Sequence, residues 1–174
     1  MTPFAFLSLA QQRRLFRPLV VLTLLLFVIF GFLDVPLRND LAPMGIVSLE
    51  LAGTAAPALV NSWDGLARTY VAFGLGLDYL FIFFWVGSVS LGCLLARERL
   101  APRSRLLAQI GLWLAWGQIF GGILDMVENA ALFQLLLGGL AHWGGIAQAC
   151  ASLKFIILAL GLLYALAGWI FGRS

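Results

Sequence analysis

Asp78, Asp125, Glu128 and Lys154 interrupt stretches that otherwise read as hydrocarbon-spanning helix, and Asn129 stands beside them. Three carboxylates against one ammonium leave two negative charges uncancelled. A charged side chain near the bilayer centre costs about 2.5 to 3.5 kcal/mol on insertion scales, so such groups face a bundle interior, pair, or line water. Like charges held close together in a low dielectric cannot all stay ionised. Either protons sit on the acids or something positive occupies the space between them. The expected occupant is therefore a proton, a cation or a small amphiphile. Asp125 and Glu128 would accept it, Asp78 would face them, Lys154 would act as internal counter-ion and Asn129 as an oriented neutral ligand. The set identifies no particular reaction, and no residue is assigned a catalytic role.

The spacing argues that these residues share a surface. Asp125, Glu128 and Asn129 follow i, i+3, i+4, and the stripe continues back through Gly122 and Gly121 to Gln118. Lys154 lies on a stripe of Ala147, Cys150, Ala151, Leu158, Gly161, Tyr164 and Gly168, whose small residues suit close packing. Asp78 shares a more mixed stripe with Gly74, Phe81, Trp85, Ser88 and Gly92. Counted from the outer helix ends at about 1.5 Å per residue, all the charged groups fall about 10 to 18 Å deep. The competing reading is interhelical glue, in which protonated acids and Asn129 supply hydrogen bonds worth about 0.6 to 2 kcal/mol each.

Other chemistry is disfavoured by what the chain contains. The one histidine, His142, adjoins Trp143 in a turn and reads as a headgroup-level residue, and neither HExxH nor CxxC occurs. Cys93 and Cys150 belong near opposite ends of their helices, which disfavours a disulfide. Carboxylates with Asn129 would suit a hard cation, but the lysine competes for the same oxygens, so no metal and no cofactor are expected. Trp113 and Trp116 could stack on an organic cation, although lipid-facing tryptophans are commoner.

The elements that must position these residues follow from composition. The chain has 174 residues, of which 62% are hydrophobic and only 11% charged, with a mean hydropathy of +1.00. That is far from a soluble domain, where about a quarter of residues are charged. The expectation is an all-α integral membrane protein, one domain over 1–174, with four transmembrane helices in an antiparallel bundle at about 18–34, 71–96, 106–137 and 145–171. The first span offers only Thr23 as an internal polar group and should pack peripherally; a retained helix is preferred there to a cleaved signal peptide. Residues Phe4 to Arg17 read as a short interfacial helix.

The connection between the first two spans is too apolar for a solvated loop. At helical spacing Ala52, Ala55, Ala56, Leu59 and Trp63 share one face and Glu50, Thr54, Pro57 and Asn61 the other. Pro57 should break the segment. An outer lid over about 45–65, with Glu50, Asn61 and Trp63 as contacts, is one reading, and an amphipathic stretch lying in the interface is the other.

Arg13, Arg14, Arg17, Arg97, Arg99, Arg103, Arg105 and Arg173 fall on one side of a four-span topology, with Arg38 and Arg68 on the other. That bias predicts cytoplasmic termini, with a bacterial inner membrane as the default location. It also accounts for the basic pI of about 9.3, so nucleic acid is not an expected partner. Membrane lipids are. Gly117 with Gly121, and Gly168 with Gly172, fit the small-xxx-small pattern of close helix contacts, within the chain or with a second copy or another subunit.

Three function classes remain: binding or transport of a proton, cation or amphiphile; an intramembrane acid–base enzyme acting on a lipid or isoprenoid; and an accessory or assembly subunit of a larger complex. Acids after the first span, Asp34, and inside the second, Asp78, resemble in outline the layout of four-helix sterol isomerases and their receptor-like relatives. That resemblance implies the second class. The charge imbalance favours the first.

Overall fold

The computed structural model describes residues 2–171. Regular structure among them is helical throughout: α1 (Leu9–Asp34), α2 (Ile46–Glu50), α3 (Ala56–Asn61), α4 (Gly65–Leu100), α5 (Arg105–Leu136) and α6 (His142–Phe171), with 3-10 turns at Val35–Leu37 and Gly53–Ala55. Four of these, α1, α4, α5 and α6, are long and apolar enough to cross a membrane, as a multi-pass membrane protein requires. The 36 residues of α4 extend about 54 Å, well beyond a hydrocarbon core of about 30 Å. Arg173 and Gly172, used above for orientation and close contacts, lie outside the described residues.

Helix ends are set by capping rather than by where the apolar runs begin. The Ser8 N–H donates to Gln11 Oε1 at 2.8 Å while Ser8 Oγ accepts from the Gln11 N–H at 3.3 Å. This reciprocal box starts α1 at Leu9. The separate interfacial helix expected over Phe4–Arg17 is thus corrected: a turn precedes Ser8, and residues from Leu9 onward belong to the first long helix. Pro18 lies inside it. It has no N–H to give the Arg14 carbonyl, yet the helix continues past it. Asp64 Oδ1 accepts from the Ala67 N–H at 2.8 Å and starts α4 at Gly65, ahead of the apolar run at Val71.

At the end of α5, Gly138 takes φ +89°. The Gly139 N–H then donates to Gln134 O at 2.8 Å and the Gly138 N–H to Leu135 O at 3.0 Å, a Schellman stop. Only residues 137–141 separate α5 from α6.

By contact the chain divides into two compact units. The first, here the carboxylate unit, comprises Leu24–Ile82 and Ile123–Leu153. Its apolar core includes Leu37, Leu49, Leu59, Trp63, Val71 and Leu132. The connection after α1 is fastened by Asp34, whose Oδ1 accepts from the Ile46 N–H at 2.7 Å and whose Oδ2 accepts from Arg38 Nε at 3.0 Å. Gly45, at φ +56°, lies where a Cβ would strike that carboxylate. Trp63 Nε1 donates to the buried Leu37 carbonyl at 2.7 Å. Ala56, Leu59 and Trp63 are buried, whereas Ala55 is exposed. A 3-10 turn at Gly53, also at φ +56°, interrupts the uniform helical wheel. Pro57 stands in the first turn of α3, so the segment is broken there as its proline predicts.

The second, or arginine, unit comprises Met1–Thr23, Phe83–Gly122 and Lys154–Ser174. Its helices are tied by side chains to carbonyls. Ser90 Oγ donates to Ala115 O at 2.8 Å, Tyr164 Oη to Leu107 O at 2.7 Å, and Gln118 Nε2 to Ile157 O at 3.0 Å. Gly168 lies against the Ala96 backbone, where an added Cβ would come within 2.6 Å of Ala96 Cα. α1 buries only Leu26, which belongs to the carboxylate unit.

Candidate functional site

In the carboxylate unit, α5 is apolar over most of its length, yet Asp125 is 3% exposed, Glu128 0% and Asn129 3%. Their i, i+3, i+4 spacing sets them on one stripe, which the helical repeat turns inward. Ala131, Leu132 and Leu135 continue the buried surface toward the end of the helix. Asp78, on α4, is half-buried. Asn129 Nδ2 donates to Asp78 Oδ2 at 2.6 Å. It joins α5 to α4. Asp78, Asp125, Glu128 and Lys154 each engage further groups.

Lys154 belongs to the arginine unit, 8% exposed, with Nζ 5.1 Å from the centre of the Phe155 ring. Gln118, from the same α5 stripe, is fully buried in that unit. Its Nε2 donates to the Leu114 and Ile157 carbonyls, and its Oε1 is buried without a hydrogen-bond donor. Trp63 is buried and Glu50 partly buried. Asn61 is exposed, accepting from Arg68 Nη2 at 3.3 Å. His142 is exposed and lies beside Trp143, ring centres 4.9 Å apart. Trp113 and Trp116 are exposed on α5, and both cysteines are free thiols.

One residue plays a larger part than its spacing suggested. Asp34 fastens the start of the connection after α1 to Arg38 and to the Ile46 N–H; of these two contacts only the i, i+4 pair with Arg38 could be read from spacing.

Chemically, the carboxylate unit presents two acids and an amide on adjacent turns of one helix, withdrawn from bulk water, with a third acid held by the amide. Such oxygens can accept or release protons or solvate a positive group. Among the described residues, no three His, Cys, Asp or Glu side chains are grouped so as to hold a metal ion. Comparison with protein-family models, with curated proteins and with solved structures returned no match for this chain.

Proposed function

We propose that the four long helices form one antiparallel transmembrane bundle, a single domain over 1–174, in which Asp78, Asp125, Glu128 and Asn129 make an intramembrane site that binds or transports a proton, a cation or a small amphiphile. The observation that supports this reading is the burial of Asp125, Glu128 and Asn129 on one stripe of an otherwise apolar helix, with Asn129 hydrogen-bonded to Asp78 at 2.6 Å. Replacing a whole buried polar cluster by well-packed hydrophobic residues of similar volume is often neutral or stabilising. Acids retained there point to use.

Lys154 enters this reading from the sequence, as the one ammonium within the spans. Since the acids outnumber it, protons or a positive ligand complete the balance. A proton or an organic cation suits these donors better than a metal ion, because Asp78 already receives the Asn129 amide. Glu50 and Trp63, on and beside the short helices α2 and α3, form the lid on the outer side, and the arginine bias places both termini in the cytoplasm of a bacterial cell.

The test uses purified protein in liposomes carrying a pH-sensitive dye, with imposed proton and cation gradients. Wild-type protein is expected to carry flux, and Asp125→Asn and Glu128→Gln to lose at least about tenfold of it while keeping wild-type helicity and elution. Wild-type flux in both variants, or no flux and no cation-dependent protection from unfolding in the parent protein, overturns the reading.

A further inference from the structure

A second feature lies wholly within the arginine unit. Between the end of α4 and the start of α5 there is a hollow of about 310 Å³ lined by Arg97, Ala101, Arg105, Ala108, Gln109 and Leu112. Arg97 gives Nη1 to Glu98 Oε1 at 3.0 Å, a pair between partly exposed neighbours and hence weak. Its Nε, in contrast, is buried without a hydrogen-bond acceptor. A withdrawn guanidinium N–H left without an acceptor is unfavourable. Nε is closed off from solvent, so a phosphate in the hollow would be met by the Nη amino groups of Arg97, which lines it.

Across the hollow, Arg105 is the first residue of α5, a helix of 32 residues whose amino end adds partial positive charge. One turn further in, Ala108 is apolar and Gln109 offers an amide, and a further turn on Leu112 is apolar. The lining therefore changes from cationic to apolar along the helix direction. On the adjoining surface of α5, Leu106, Ile110 and Trp113 are exposed, the apolar strip with an interfacial tryptophan that acyl chains lie against. Glu98, paired with Arg97, is the one acidic residue in the segment 97–112, where Arg99 and Arg103 outweigh it.

The geometry points to a binding site for a phosphate ester, the headgroup of an anionic phospholipid, with its phosphate between Arg97 and Arg105 and its glycerol over Ala108 and Leu112. This site is separate from the carboxylate site and does not depend on its function.

Full-length protein in detergent is titrated with phosphatidylglycerol, with phosphatidylcholine and with inorganic phosphate, and adducts are read by native mass spectrometry. Phosphatidylglycerol is expected to bind at least about tenfold more tightly than phosphatidylcholine, a preference worth about 1.4 kcal/mol. The Arg97→Gln, Arg105→Gln double variant is expected to abolish that preference, and an Arg13→Gln, Arg14→Gln control with the same loss of charge to keep it. Ala108→Phe fills the hollow without changing charge and is expected to weaken phosphatidylglycerol binding as well; it also carries the test should the double variant fail to fold. Displacement by millimolar inorganic phosphate assigns the phosphate site to a soluble ligand, and resistance to displacement assigns it to lipid. Equal preference in the double variant and the control, or full binding by Ala108→Phe, overturns the inference.

Discussion

Removing the bond between Asn129 and Asp78 tests how the carboxylate unit is held together. The donor and acceptor are 2.6 Å apart, and Asn129 is 3% exposed. Hydrogen bonds to charged groups contribute about 1.5 to 3 kcal/mol in proteins. Interhelical bonds within membranes average about 0.6 kcal/mol and reach about 1.7. The short length and the burial put this bond near the upper end of the membrane range, at about 1.5 kcal/mol of coupling. The experiment is a double-mutant cycle of Asp78→Leu, Asn129→Leu and the pair, with unfolding followed in mixed micelles. Asn129→Leu alone should cost more than the coupling itself, because it also leaves a withdrawn carboxylate short of a donor. A coupling below about 0.3 kcal/mol, within the additivity expected of independent sites, would refute the claim that this bond orders α4 against α5 in the carboxylate unit.

Two glycines should respond oppositely to the same change. Gly168→Ala drives a Cβ into the Ala96 backbone, which cannot move aside as a side chain could, and should destabilise by about 1 to 3 kcal/mol; Gly74→Ala meets nothing within 4 Å and should stabilise by about 0.5 to 1 kcal/mol, both read in the same unfolding assay. Trp63→Phe keeps the ring but removes the donor to the buried Leu37 carbonyl. A loss of about 1 to 3 kcal/mol is expected, with faster amide exchange confined to the connection between α1 and α4, and unchanged exchange there would contradict the fastening role of the indole.

What the sequence made legible was periodic. The stripe through Gln118, Asp125, Glu128 and Asn129 is buried because the 3.6-residue repeat of a long helix leaves little freedom, and Ala147, Ala151, Lys154, Gly161, Tyr164 and Gly168 are buried for the same reason. Helix starts were less legible. Apolar runs mark where hydrocarbon would begin, not where hydrogen bonding begins, and the Ser8–Gln11 box and the Asp64 cap carry helices well past those runs. The short helices defeated a single wheel because the turn at Gly53 resets the angular phase, which leaves Ala55 exposed. Nor could spacing reveal that Asp34 reaches Ile46, since that contact depends on the left-handed backbone of Gly45.

The stop at Gly138 and Gly139 bears on biosynthesis. Residues 137–141 carry no formal charge, so nothing in that link needs to be dragged through lipid as an ion. On the transmembrane topology proposed above, so brief and neutral a tip would let α5 and α6 insert together, and Glu128 and Asn129 would not have to cross lipid on a lone helix.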